Sequence, residues 1–298
     1  MKNMASGLGR MGWVCILGAL ALGSGCAVSV EDAESTGTSQ AGILGGSNAS
    51  IGGHPWMVRV FDETPGANHA CGGTLITKDW VLTAAHCVYH GPPNRGTGPY
   101  GEAQPSALFL IAGDYDSSGF STSAEGTSWE QLRGASEVHI PSNYVGANHD
   151  IALIKLSSSV TLNTRVKVLP LKTGLVTSGT AIAAGWGATA VLNPFDPDKA
   201  WSAILQRVDL TIRPSSTCNS ALGSIRNLAS DELCAGDTGG TRGTCLGDSG
   251  GPLLQAVSGG GYQLIGVTSW GDHYCTSYSV FSRVSSHLAW IRSYVPGV

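Results

Sequence analysis

From Ile43 onward the chain is a succession of short apolar runs, each closed off by glycine, proline or small polar residues: "PWMVRVF", "GGTLIT", "WVLTAAH", "ALFLIAG", "IALIKL", "AIAAGWG", "LQRVDLTI" and "YQLIGVTSW". β-Branched and aromatic residues suit a pleated, half-buried surface, so short runs punctuated this regularly predict an all-β sandwich or barrel. The 42 glycines among 298 residues supply the turns that such an architecture needs. Only 13% of residues are charged, and amphipathic charged runs of helical period are rare. One helix is expected, at the C-terminus, where "SSHLAWIRSYV" spaces Leu288, Ile291 and Val295 by three and four residues, with Ser285 or Ser286 as its N-cap. Two polar loops, "HGPPNRGTGPYGEAQPSA" and "VLNPFDPDKAW", read as surface excursions that could border a cleft.

The N-terminus reads as an address. Lys2 and Arg10 precede the apolar run "WVCILGALAL", and the small residues of "GSGC" follow, which is the pattern of a secretory signal peptide over residues 1–25. The run is too short to span a bilayer comfortably. "LGSGC" at Leu22–Cys26 also resembles a bacterial lipoprotein cleavage site, although Gly23 stands where such sites prefer a large aliphatic residue. Export as a free protein and lipid anchoring through Cys26 to a bacterial envelope both fit. Residues 26–42, which include "VSVEDAESTGTSQAG", are polar and acidic and read as a flexible pro-segment.

A formal net charge of −4 gives no electrostatic footprint for nucleic acid, and contact with a membrane would need the lipid at Cys26. With Cys15 and Cys26 assigned to the signal region, six cysteines remain: Cys71, Cys87, Cys218, Cys234, Cys245 and Cys275. An even set in an exported chain points to disulfides, and no CxxC or HExxH pattern points to a metal.

The stretch "TCLGDSGGPLL" at Thr244–Leu254 surrounds one hydroxyl, that of Ser249, with residues of little bulk. Such a stretch is either a surface turn or a place where backbone amides approach a reacting atom. A serine becomes nucleophilic only when a neighbouring base takes its proton. Of eight histidines, His86 in "LTAAHC" stands out, tied to Cys87. Asp150 in "NHDIALIKL" opens an apolar strand, so it is expected to be partly buried and able to fix the imidazole. Each element alone is weak. "TAAHC", "DIAL" and "GDSGGP" in that order resemble the trypsin/chymotrypsin-like serine proteases, over Ile43–Val298.

That resemblance implies a domain over residues 43–298 made of two packed six-stranded antiparallel β-barrels with a C-terminal helix and a cleft between the barrels. His86 and Asp150 would come from the first barrel and Ser249 from the second. It implies disulfides Cys71–Cys87, Cys218–Cys234 and Cys245–Cys275; a further bridge common in the family would join Ala181 and Gln255, neither of which is cysteine. The N–H groups of Gly247 and Ser249 would form an oxyanion hole, where a β-carbon at Gly247 would crowd the substrate carbonyl, and Ser269 in "TSWG" would support Asp150. "ILGG" at Ile43–Gly46 matches the family's mature N-terminus, whose ammonium would pair with Asp248. Gly42 precedes it in place of the usual Arg or Lys, which implies an activating protease that accepts small residues, or another processing site. His69 resembles a family histidine linked to zymogen stability.

The base of the implied substrate pocket is Gly243, where trypsin-type members carry an aspartate. An Arg or Lys side chain would be left unpaired there. Thr244 continues the wall, Gly271 leaves the entrance open, and Ser279 narrows the space. The pocket is expected to be neutral and to take apolar residues, chymotrypsin- or elastase-like, with aromatic residues and leucine ahead of valine and alanine. The loop Gly113–Gly126, with Asp114, Asp116 and Glu125, falls near the family's calcium loop, so calcium is a possible accessory; no other cofactor is implied. The expected protein is a secreted serine endopeptidase acting on polypeptides. The alternative is a catalytically silent, zymogen-like binding protein on the same fold. A lipase-type hydrolase lacks support, because the strand-to-helix elbow and the Ser…Asp…His order are missing.

Overall fold

Side chains alternate in and out along the strands, most clearly in Gln206–Arg213, where every second residue is buried. The computed structural model describes residues 43–64, 69–91, 101–119, 129–189, 201–237 and 239–298. In chain order the strands are Ser47–Asn48 (β1), Met57–Asp62 (β2), His69–Leu75 (β3), Trp80–Thr83 (β4), Leu108–Ala112 (β5), Gln131–His139 (β6), Ala152–Leu156 (β7), Gly179–Gly185 (β8), Gln206–Arg213 (β9), Glu232–Ala235 (β10), Pro252–Ala256 (β11), Tyr262–Trp270 (β12) and Ser279–Arg283 (β13). Two helices accompany them, Ser215–Leu222 (α1) and Val284–Tyr294 (α2). Among the described residues no helix is long and apolar enough to cross a membrane.

Strands β2-β3-β4-β7-β6-β5 close into one barrel. A second ring runs β9-β10-β13-β12-β11-β8 and closes because β8 pairs with both β11 and β9, while β1 adds to β9 from outside. Every pairing is antiparallel. Closure removes the open edges that would otherwise invite pairing with another chain. Val58, Val60, Leu75, Leu82, Leu110 and Ile154 belong to the core around the first barrel, and Val208, Leu210, Ile212, Leu253, Ile265 and Phe281 fill the second. The three disulfides join Cys71 to Cys87, Cys218 to Cys234 and Cys245 to Cys275, the implied pairing.

All eight apolar runs contain strands, but the sequence reading stops short of β6, β10, β11 and β13. β6 is polar and mostly half-exposed, and the other three are four or five residues long, too short to show a period. Helix α1 was not expected either. It buries only Cys218 and Leu222, and its disulfide to β10 holds it where an apolar stripe does not. In α2, Leu288 and Ile291 are buried and Val295 packs just beyond the end, as their spacing predicts. The expected cap is corrected: Arg283 is the N-cap, and Ser285 and Ser286 lie inside the first turn. The Arg283 guanidinium donates to the carbonyls of Val176 and Glu232, so the junction of β13 and α2 is set by that buried anchor instead of by a serine hydroxyl.

The barrels meet at glycines. Gly72 of β3 donates its N–H to the Ser249 carbonyl at 2.7 Å, and Thr83 at the end of β4 donates its hydroxyl to the Gly72 carbonyl at 2.8 Å. A β-carbon on Gly72 would lie 2.9 Å from the Gly251 Cα. One on Gly250, whose φ is +76°, would lie 2.4 Å from the Gly72 carbonyl oxygen. Gly250→Ala combines a left-handed backbone with a backbone clash, and we expect it to destabilise the fold by about 3 kcal/mol or more. Chemical denaturation of this variant in a Ser249→Ala background checks this; an unchanged midpoint would show that the seam tolerates movement.

Candidate active site

His86 follows β4 in a single 3-10 turn, Ala85–Cys87, and the Cys71–Cys87 disulfide ties that turn back to β3. Asp150 lies two residues before β7 and is only 1% exposed. A carboxylate buried this deeply needs hydrogen-bond partners. Oδ1 accepts the His86 backbone N–H at 2.9 Å, and Oδ2 lies 2.7 Å from His86 Nδ1 and accepts the Ser269 hydroxyl at 2.6 Å. The Asp150 carbonyl accepts the Ser282 hydroxyl at 2.6 Å, which ties this turn to β13. Burial works against a proton on His86, but the charge of Asp150 and its hydrogen bond outweigh burial and raise the imidazole pKa above its ordinary value. The arrangement fixes the ring through Nδ1 and leaves Nε2 free of the carboxylate.

Ser249 sits in the turn before β11, half-buried. Together with His86, Gly247, Leu246, Trp186 and Trp201 it lines a cavity of about 630 Å³. The Ser249 hydroxyl makes no direct hydrogen bond to His86 here, and Nε2 lies 3.8 Å from the Cys87 sulfur. Catalytic hydrogen bonds of unliganded sites are often long and tighten when substrate arrives. Neither the Gly247 N–H nor the Ser249 N–H has an acceptor among the described residues. Gly247 has a φ of +92°, and a β-carbon there would lie 2.5 Å from the Trp201 ring and 3.0 Å from the Gly187 Cα. Glycine is therefore demanded first by the protein's own packing and not only by the space over the cleft, as the sequence suggested. Cys71, His86 and Cys87 cluster closely, but both sulfurs are spent in their mutual disulfide.

Asp248 is the second buried carboxylate, fully out of solvent. It accepts N–H groups from Gly187 and Cys245, each at 2.9 Å, and no cation pairs with it among the described residues. β-Carbons on Gly185 and Gly187 would lie 2.2 Å and 2.5 Å from its carboxyl atoms. The two glycines of "GWG" are thus the floor on which Asp248 rests, a role that sequence reasoning missed. The Ile43 side chain is fully buried in the core of the second barrel, with a φ of +58° that is a true outlier for a β-branched residue. Leu44 follows it into a bridge with Gly243, whose N–H donates to the Leu44 carbonyl at 3.2 Å.

Gly243, Thr244, Gly271 and Ser279 lie close to one another. Ser279 is buried, and its hydroxyl accepts the Thr244 N–H at 2.8 Å. It would lie 3.1 Å from a β-carbon on Gly243. Gly271 faces Tyr278 and Ser279 across the strand pair, with room for a β-carbon at ordinary contact distance. In the loop expected to lie near a calcium site, buried Asp114 pairs with Arg59 through Oδ2 at 3.2 Å while its Oδ1 has no partner, and Asp116 accepts both the N–H and the hydroxyl of Ser118. Glu125, the signal and pro-segments (residues 1–25 and 26–42) and the His69 side chain fall outside the described residues.

Asp248 carries a measurable signature. Burial raises its carboxyl from 3.8 to about 7, against the lowering effect of its two N–H donors. Between those values the folded state keeps a proton that the unfolded chain releases, so stability falls as pH rises through this window and levels off above it. The span is on the order of 4 kcal/mol. For the uncut chain with Ser249→Ala we expect denaturation midpoints to be higher near pH 5 than near pH 8. Adding Asp248→Asn should flatten the difference; equal pH dependence in both proteins would refute the assignment.

Comparison with known proteins gives a consistent picture. The family model described as Trypsin matches residues 43–291. The chain is 33% identical to "Trypsin I-P1" of Gallus gallus over 257 residues, covering 84% of this chain and 88% of that protein. It is 31% identical to "Fibrinolytic enzyme, isozyme C" of Lumbricus rubellus over 264 residues, covering 84% and 98%. It is 30% identical to "Clotting factor C" of Tachypleus tridentatus over 274 residues, but there the match covers 85% of this chain and 25% of that longer protein.

Proposed function

Because this chain belongs to the trypsin family, we propose that it is an exported serine endopeptidase that cuts polypeptides through an acyl-enzyme. The observation that carries this reading is the buried Asp150 carboxylate clamped on His86 Nδ1, with Nε2 left toward the cavity that Ser249 and Gly247 share. In this mechanism Ser249 Oγ attacks the scissile carbonyl carbon while His86 Nε2 takes its proton. The resulting oxyanion is held by the free N–H groups of Gly247 and Ser249. His86 then gives the proton to the departing amine, and water repeats the sequence on the ester. Loss of one oxyanion donor in a comparable hydrolase costs about a hundred- to a thousandfold in kcat. Ser269 keeps the Asp150 carboxylate oriented.

Activation follows from Ile43. Its unfavourable φ exists only while the bond to Gly42 is intact, so a cut there removes the strain. The ammonium so created would give Asp248 the cation it lacks and bring its pKa down. The activating protease must accept Gly42 before the cut. Residues 1–25 direct export, with attachment at Cys26 as the alternative end point.

Primary specificity is assigned to Ser279. Its hydroxyl accepts the Thr244 N–H beside Gly243, which narrows the base of the neutral pocket, so the expected preference for aromatic residues is reversed here and small to medium apolar residues are favoured over large aromatic ones. Activated protein and its Ser249→Ala control, incubated with a mixed peptide library and read by mass spectrometry, test the reading. We expect cleavage after apolar residues, only by the active form with an Ile43 terminus. Cleavage after Arg or Lys would overturn the pocket assignment, and no cleavage despite an Ile43 terminus would overturn the enzyme assignment. Ser279→Gly should shift kcat/KM toward aromatic residues by roughly tenfold, within the range that a methylene-sized change allows; an unchanged ratio would place the size limit elsewhere.

A further inference from the structure

His149, Asp231 and His287 come from three separate stretches: the turn before β7, the turn leading into β10, and the first turn of α2. His149 Nδ1 lies 2.8 Å from Asp231 Oδ2, and His287 Nε2 lies 3.2 Å from the same oxygen. All three atoms fall within 4.8 Å of one another, and the two rings stand perpendicular, at 89°. The side chains of Asp231 and His287 are 10% and 6% exposed, whereas His149 is 35% exposed. Close as these atoms are, Asp231 Oδ2 and His287 Nε2 are without a hydrogen bond. The two nitrogens and the oxygen crowd together without a well-aligned hydrogen bond between them.

Of the nearby arginines, Arg283 donates its guanidinium to the carbonyls of Val176 and Glu232, and Arg226 pairs with Glu232, so neither makes a hydrogen bond or ion pair to the Asp231 carboxylate. A tetrahedral zinc ion with bonds of about 2 Å separates its ligand atoms by roughly 3.3 Å. The observed spacings need only small side-chain adjustments to reach that. Two imidazole nitrogens and one carboxylate oxygen suit a late first-row divalent metal better than calcium or magnesium. The exposed edge of His149 leaves the fourth position to water.

We propose that His149, Asp231 and His287 bind one divalent transition-metal ion of the zinc class. The ion cross-links the turn that carries Asp150 to the entry of β10 and to α2. His149 is joined to Asp150 by one peptide bond, so occupancy of the site stiffens the backbone that presents the carboxylate to His86. This site does not depend on proteolysis and is read without an activity assay.

The test uses the full chain with Ser249→Ala, stripped of metal. It is titrated with Zn²⁺ against a coloured chelator and, separately, with Co²⁺ while visible absorption is recorded. One equivalent of zinc, a tetrahedral cobalt spectrum and a zinc-dependent rise in Tm are expected. His149→Ala, at a part-exposed position that leaves the core untouched, should weaken binding by at least about tenfold and abolish the Tm rise. Asp231→Asn should act in the same direction, and His86→Ala should leave binding intact. Absence of stoichiometric binding, or binding that survives His149→Ala or is lost with His86→Ala, would overturn the proposal.

Discussion

The hydrogen bond from Gly72 N–H to the Ser249 carbonyl, at 2.7 Å, is the contact on which the arrangement of the site depends. It joins a strand of the first barrel to the turn of the second barrel that carries Ser249. Backbones can approach this closely only where side chains are missing, and Gly72, Gly250 and Gly251 provide that space. Thr83, three residues before His86, donates its hydroxyl to the Gly72 carbonyl. One residue, Gly72, therefore links the segment that carries His86 to the turn that carries Ser249.

Two buried carboxylates share the site and are treated oppositely. Asp150 is saturated with donors: the His86 backbone, the His86 ring and Ser269. Such a carboxylate can hold a tautomer and stabilise an imidazolium. Asp248 has two backbone donors and no cation, and its burial is incompletely offset. The first is a finished structural element. The second sits in an environment that favours either a proton or an incoming positive charge, and the chain at Ile43 is held in a strained conformation. In the proposed activation, one cut relieves both.

The His149–Asp231–His287 group adjoins the Asp150 turn through His149, the residue before Asp150. It shows how a barrel pair can be tied together at a second place, by side chains instead of by glycine backbone. The Ser282 hydroxyl on the Asp150 carbonyl reinforces the same junction. The turn bearing Asp150 is thus gripped from the second barrel through its backbone and, through His149, from the β10 entry and α2.

Much of this was legible in the sequence, for local reasons. Glycine-punctuated apolar runs announce β-structure because alternation and turns are properties of neighbouring residues, and eight runs are strands. His86, Asp150 and Ser249 were found because each lies in a distinctive string, and the disulfide pairing followed from the resemblance. What the sequence could not display depends on residues far apart in the chain. Strands β10, β11 and β13 are recognisable only by their partners, and α1 by its disulfide. The glycines of "GWG" matter because Asp248, sixty-one positions beyond Gly187, rests on them. The Ser279 hydroxyl accepts the Thr244 N–H across thirty-five positions, and His287, on an amphipathic helix, meets Asp231 and His149 only in the fold. The sequence by itself determined most of the strands, the C-terminal helix and the candidate reacting groups, since propensity and motif are written locally. Only the tertiary structure decided which buried charges are satisfied and which are left waiting, because that depends on what two closed barrels press against one another.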